Sequence, residues 1–143
     1  MKNIGVGCGV IVLKDNKILL GLRNSNPLLA DCDLHEEGSW TMPGGSIHYN
    51  ESFEEAGIRE TKEETNLDIK NPKVICVQGD KNEFAHYISG GMIAESFSGE
   101  VKVMEPNEIT KWEWFEIDNL PNNIFSASKK TIDCYMQNKF YIK

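Results

Sequence analysis

The chain predicts an α/β sandwich in which a mixed β-sheet lies between helices. Three observations carry that expectation: short apolar runs rich in branched residues, two helical stretches at separate points of the chain, and turn-forming clusters between them. A length of 143 residues with 40% hydrophobic content fits one domain, residues 1–143, with room for a real core.

The elements follow in order. Val6 to Leu13 reads as a strand buried on both faces, and Lys14-Asp15-Asn16-Lys17 as a turn that returns the chain in a second strand, Ile18 to Arg23. Asn24 to Ser39, with Pro27, Gly38 and several polar residues, reads as an extended loop long enough to form a rim over a substrate pocket. Ser52 followed by Glu55 has the form of a capping box. A helix is therefore expected over roughly 52 to 65, with Glu51 on the loop before it and Asn66 as its left-handed stop. Phe53, Gly57 and Thr61 form its thin inner face. Lys73 to Gln78 and Glu83 to Glu95 read as strands joined by a Gly79-Asp80-Lys81-Asn82 turn, the second with one wet side. Lys111 to Ile117 is a further strand, Asn119-Leu120-Pro121 a stop, and Ser126 to Gln137 a closing helix of weak amphipathicity.

The first of those helices carries the chemistry. From Glu51 to Glu64 there are six glutamates (51, 54, 55, 60, 63, 64) against Arg59 and Lys62, a local balance of −4. Positions 60, 63 and 64 share one helical face, so three carboxylates converge where like charges repel. Such a face either sheds the cost into water or holds a hard cation, which prefers several oxygen ligands. Pro43-Gly44-Gly45 in front of it builds a turn that a side chain would obstruct.

Gly45, Glu51, Arg59, Glu60, Glu63, Glu64 and Leu67 match the signature of the Nudix (MutT-type) hydrolases, which the stretch from Gly45 to Leu67 resembles. Two positions depart: Thr61 stands where an aliphatic residue is usual, and Asn66 where glycine is usual. Neither belongs to the charged set. Beyond this box, Ile18 to Arg23, Gly38 to Gly45 and Glu105-Pro106 with Trp112-Glu113-Trp114 resemble the branch that cleaves nucleoside triphosphates and includes oxidised-purine sanitisers. The resemblance covers almost the whole chain and implies the same α/β/α sandwich.

The resemblance implies a Mg²⁺-dependent hydrolase, with Mn²⁺ able to substitute, that cleaves a phosphoanhydride. Glu60 and Glu64 would take the central metal, Glu63 would assist with a further ion or the water, and Arg59 would orient the glutamates. Glu64 and Glu63 are both candidates for the general base, and Glu105 or Glu108 could supply a carboxylate from outside the box. On the substrate side, Arg23 could grip a phosphate, while Gly44 and Gly45 let a phosphate or base approach the backbone. His48, Phe84, His86 and Trp114 are candidate pocket walls by position, although aromatic residues in strands are usually core.

The leading reading is conversion of a nucleoside triphosphate to a nucleoside monophosphate and pyrophosphate. Alternatives are a pyrophosphatase of ADP-ribose or another nucleoside diphosphate derivative, and a nucleotide-sensing module without catalysis. A formal charge of −7 works against a nucleic-acid polymer and leaves a small nucleotide as the partner. No apolar run reaches membrane-spanning length and no secretory leader is read at Met1-Lys2-Asn3, so a cytoplasmic location is expected. Cys8, Cys32, Cys76 and Cys134 are scattered without a CxxC pair, which argues against a zinc site and gives no reason to invoke disulfides. Relatives in this branch are often homodimers, so the resemblance leaves a homodimer open.

Overall fold

A computed structural model of the chain describes residues 2–30 and 32–143. Met1, in the N-terminal run, and Asp31, in the long loop, lie outside the described residues. In chain order the elements are β1 (Gly5–Lys14), β2 (Lys17–Arg23), α1 (Pro27–Ala30), β3 (Trp40–Thr41), β4 (Gly44–Ser46), α2 (Phe53–Thr65), β5 (Asp68–Lys70), β6 (Lys73–Lys81), β7 (His86–Ala94), β8 (Ser96–Ser98), β9 (Ile109–Glu116) and α3 (Ser126–Gln137).

The β1–β2 hairpin closes through Asp15 and Asn16, both at positive φ (50° and 64°), which is the geometry a two-residue hairpin turn demands and which Asp and Asn tolerate. Past the hairpin the two strands diverge. β1 pairs in parallel with β7, from Gly5↔Tyr87 to Val12↔Ala94, and takes the short β4 on its other edge. β2 instead pairs with β9 and β3. β6 completes the sheet, antiparallel to β7.

Side chains alternate across β1 and so feed two cores. Cys8, Val10 and Val12 pack with Leu19, Ala56 and Met92 beneath α2. Ile11 packs on the opposite face with Ile18, Leu20, Met42 and Ile132 of α3. The mixed sheet therefore lies between helices, as expected.

Helix α2 begins and ends where its caps dictate. The Ser52 hydroxyl accepts from Glu55 N at 3.0 Å and the Glu55 carboxylate accepts from Ser52 N at 3.1 Å, while Asn66 closes the helix at φ 70° with its N–H on Lys62 O. Gly57 lies on the buried face, where a Cβ would fall 2.6 Å from Met92 Cε. Thr61, at the usually aliphatic position, is fully buried, and its hydroxyl has no hydrogen-bond partner. Thr61→Val keeps the shape and removes that unsatisfied group. It is expected to raise stability by about 1 kcal/mol, checked by chemical denaturation.

Two strand expectations are corrected. Gly79, Asp80 and Lys81 are not a turn but the end of β6, paired with Ile88, Tyr87 and His86; the reversal occurs over Asn82 to Ala85. The ladder to β7 overrides the turn-like composition. Nor does β7 keep one wet side: Gly90 to Ala94 are buried, with Gly90 against Phe53 of α2 and Gly91 against Thr131 of α3. The Asn24 to Ser39 loop also contains the short helix α1. Cys8, Cys76 and Cys134 are buried free thiols, and Cys32 is a half-buried one. No helix among the described residues is long and apolar enough to cross a membrane.

Candidate active site

The acidic face of α2 packs against β4, and the Pro43-Gly44-Gly45 run brings backbone into contact with the glutamates. Arg59 is the hub. Its Nε and Nη2 donate to both carboxylate oxygens of Glu51, at 2.6 and 2.9 Å. Nη1 donates to Glu60 Oε1 at 2.8 Å and Glu63 Oε2 at 3.3 Å, and Nη2 also reaches Ser46 O at 3.0 Å. Glu51, on the loop before the helix as expected, thus fastens that loop to the middle of α2.

The bidentate Arg59 bond, with a second bond from His48 N, holds the Glu51 carboxyl down at about 2. A group whose folded pKa is depressed stabilises the fold above its unfolded value and loses that contribution as pH falls toward the folded value. Glu51→Gln should therefore be less stable than wild type at neutral pH. The gap should close between about pH 4.5 and pH 2, read from denaturation midpoints across that range.

Glu64 sits deeper. It is only 7% exposed, and Oε1 accepts from Gly44 N at 3.0 Å. Burial raises its pKa well above the carboxylate range; the Gly44 bond opposes this, while Glu60 and Glu105 add to it. Glu105, from the segment before β9, is raised by burial and then by Glu108, Glu60 and Glu63. The structure therefore gathers Glu60, Glu63, Glu64 and Glu105 into one crowded anionic group. Arg59 is held by Glu51 as well, so the charge is not balanced by protein.

That donor set, all carboxylate oxygen around a desolvated member, fits a hard divalent cation. Among the described residues no three carboxyl, imidazole or thiol groups already stand at metal-holding spacing. Arg59 donates to Glu60 Oε1 and the Gly44 amide to Glu64 Oε1, and both carboxylates keep lone pairs with which to hold a cation.

A cavity of about 500 Å³ opens over this group, in the range of small-molecule sites. Its walls include Gly44, Gly45, Arg23, Glu60, Glu63, Glu64, Glu105 and Glu108. The two glycines have a packing reason beyond any ligand. A Cβ on Gly44 would lie 2.2 Å from Cys8 O, and one on Gly45 would lie 2.7 Å from the Glu60 carboxylate.

Arg23 is 5% exposed. Its Nη1 is committed to His35 O at 2.5 Å and Glu36 O at 2.6 Å, and its guanidinium lies 4.9 Å from the Phe125 ring centroid. This arginine ties the long loop to the cavity wall, and its Nη2 is buried without a hydrogen-bond partner among the described residues. His48, Phe84, His86 and Trp114 do not line the cavity: Trp114 stacks on Phe97, and His48 is exposed beside Glu51. Walls that belong to no spaced motif, Cys32 to Leu34, Tyr87 and Ser128, are contributed by the loop, β7 and α3. The Cys8 thiol also lines the cavity, and burial pushes it up to about 12, which makes it a poor nucleophile.

A family model described as NUDIX domain matches residues 3–134. An ADP-ribose pyrophosphatase of Methanocaldococcus jannaschii is 36% identical over 129 residues, 89% of this chain and 70% of that protein. A NAD-capped RNA hydrolase NudC of Stutzerimonas stutzeri is 37% identical over 109 residues, 76% of this chain but 38% of that protein, so the chain spans well under half of that relative. Among solved structures, a MutT NUDIX hydrolase from Burkholderia pseudomallei superposes with a TM-score of 0.82 at 30% identity, covering 92% of this chain and 98% of that one.

Proposed function

The chain belongs to the Nudix family of hydrolases, and from that premise we propose that it is a Mg²⁺-dependent pyrophosphohydrolase of nucleoside triphosphates, releasing a nucleoside monophosphate and pyrophosphate. The observation that carries this reading is the uncompensated cluster of Glu60, Glu63, Glu64 and Glu105 at the wall of a nucleotide-sized cavity. Hydrolases of this family generally use divalent metals. The bound cation would neutralise the polyphosphate, polarise a phosphoryl oxygen and lower the pKa of the attacking water.

The protein's own residues do the rest. Glu60 and Glu64 are proposed as the central ligands, and Glu63, half exposed, as the ligand or base nearer the water. Arg59 orients Glu60 and Glu63 through its two Nη1 bonds while Glu51 holds it in place. The Gly44 amide keeps Glu64 from rotating into the wall. Gly44, Gly45 and Arg23 shape the substrate side, Arg23 chiefly by fixing the loop.

A second reading, hydrolysis of ADP-ribose or a related diphosphate derivative, is favoured by the Methanocaldococcus jannaschii relative. Purified protein with Mg²⁺ should be offered canonical, oxidised and methylated triphosphates, ADP-ribose, NADH and NAD-capped RNA. Pyrophosphate and monophosphate from a triphosphate support the leading reading. Adenosine monophosphate and ribose 5-phosphate from ADP-ribose alone would replace it with the second, and no hydrolysis of any member would sink both.

A further inference from the structure

We infer that Asp33 is a specificity-determining residue that accepts a hydrogen bond from a neutral donor on the nucleoside part of the substrate, a base N–H or a ribose O–H. The inference rests on the nucleotide reading above. Asp33 lines the catalytic cavity, and with Cys32 and Tyr87 it also lines a second depression that the glutamates do not reach. It therefore stands at the junction of the two, on the side away from the glutamate cluster. Phosphates held at the Glu60 and Glu64 side of the cavity would leave the uncharged end of a nucleotide to face this carboxylate. A carboxylate beside phosphate would repel it, whereas beside an N–H or O–H it is an acceptor with several lone pairs.

The acceptor is held in place before any ligand arrives. The Tyr87 hydroxyl donates to Asp33 Oδ2 at 2.7 Å, and Oδ1 makes no hydrogen bond among the described residues. The Tyr87 ring reaches that position because residue 5 is glycine: a Cβ there would fall 2.4 Å from ring Cε1. The Asp33 bond is also the main cause of the raised phenol pKa, so Tyr87 remains a donor across the physiological range.

The segment following Asp33 is pinned by side chains from outside the loop. Asn82 Nδ2 donates to Leu34 O at 2.8 Å and Asn123 Nδ2 to Gly38 O at 3.1 Å, beside the two Arg23 bonds. The Glu36 carboxylate accepts from Ser126 N at 3.0 Å and Ser126 Oγ at 2.6 Å, which locks the loop to the first residue of α3. Ordering of this wall is thus completed on folding and not charged against binding.

Asp33→Asn tests the assignment. Its amide oxygen can still accept from Tyr87, while the other position changes from acceptor to donor. Calorimetry on AMP, GMP, CMP and UMP identifies the tightest ligand of the wild type. Asp33→Asn should bind that ligand about tenfold more weakly, with the same melting temperature. The loss should vanish for one analogue: a 2′- or 3′-deoxyribose form if a ribose O–H is read, or a form lacking the base's donors if a base N–H is read. Equal affinity of both proteins for every ligand, the same loss on every analogue, or no binding by the wild type overturns the inference. A wild type that binds monophosphates yet hydrolyses no nucleotide overturns the catalytic reading alone, and the binding comparison still decides this one.

Discussion

Glu64→Gln is expected to abolish turnover while leaving the fold intact or slightly more stable. The substitution preserves volume, and the amide oxygen can keep the Gly44 N–H bond that Glu64 Oε1 now makes at 3.0 Å. It removes one negative charge from a carboxyl that burial, Glu60 and Glu105 already disfavour as an anion. The metal-free protein therefore has nothing to lose electrostatically. Catalysis loses a proposed central ligand. Charge stabilisation by a bound cation is worth several kcal/mol, so kcat should fall by about three orders of magnitude. Thermal melts with and without Mg²⁺ supply a second reading, since a ligand that binds only the folded state raises its melting temperature. The Mg²⁺-dependent rise should be present in wild type and absent or much reduced in the variant. Wild-type activity in Glu64→Gln would place the essential cation elsewhere.

The second large effect is on stability. In Gly44→Ala the new Cβ would stand 2.2 Å from Cys8 O and 2.9 Å from Gly9 Cα, both backbone atoms of β1 that cannot rotate away. β4 would have to part from β1, where Gly44 pairs with Gly9, and the amide that holds Glu64 would move with it. Overpacking typically costs 1–3 kcal/mol, and a clash relieved only by backbone movement belongs at the upper end, about 3 kcal/mol. In a domain of this size that lowers the melting temperature by roughly 10 °C. Gly79→Ala is the control: its Cβ would meet Ile88 Cδ1 at 3.5 Å, an ordinary contact, and its melting temperature should stay near wild type. A Gly44→Ala protein as stable as the control would mean that β4 can shift freely, and that the glycine is there for the ligand alone.

These two residues also mark how far local pattern reaches. The limits of α2 are legible in Ser52, Glu55 and Asn66 because a cap is made by residues a few positions apart. The hairpin turn is legible in Asp15 and Asn16 for the same reason. β4 is not legible: Gly44, Gly45 and Ser46 carry no apolar alternation, and they form a strand only because β1 offers a free edge. Asp80 reads as a turn residue until β7 supplies its partner Tyr87. The bonds that hold Arg23 Nη1 are not legible either, because their carbonyls come from the loop that folds back over it.

The sequence by itself determined the helix, the convergence of Glu60, Glu63 and Glu64 on one face and the match to the Nudix box, because helical periodicity repeats every 3.6 residues and is written in adjacent positions. Only the tertiary structure decided how deeply Glu64 is buried, that Glu105 joins the cluster, that Gly44 and Gly45 are filled from behind by Cys8 and Glu60, and that Asp33 faces the cavity. Burial and charge crowding depend on which distant segments meet, and that meeting is set by the pairing of β1 with β4 and β7 and by the packing of α2 and α3 on opposite faces of the sheet.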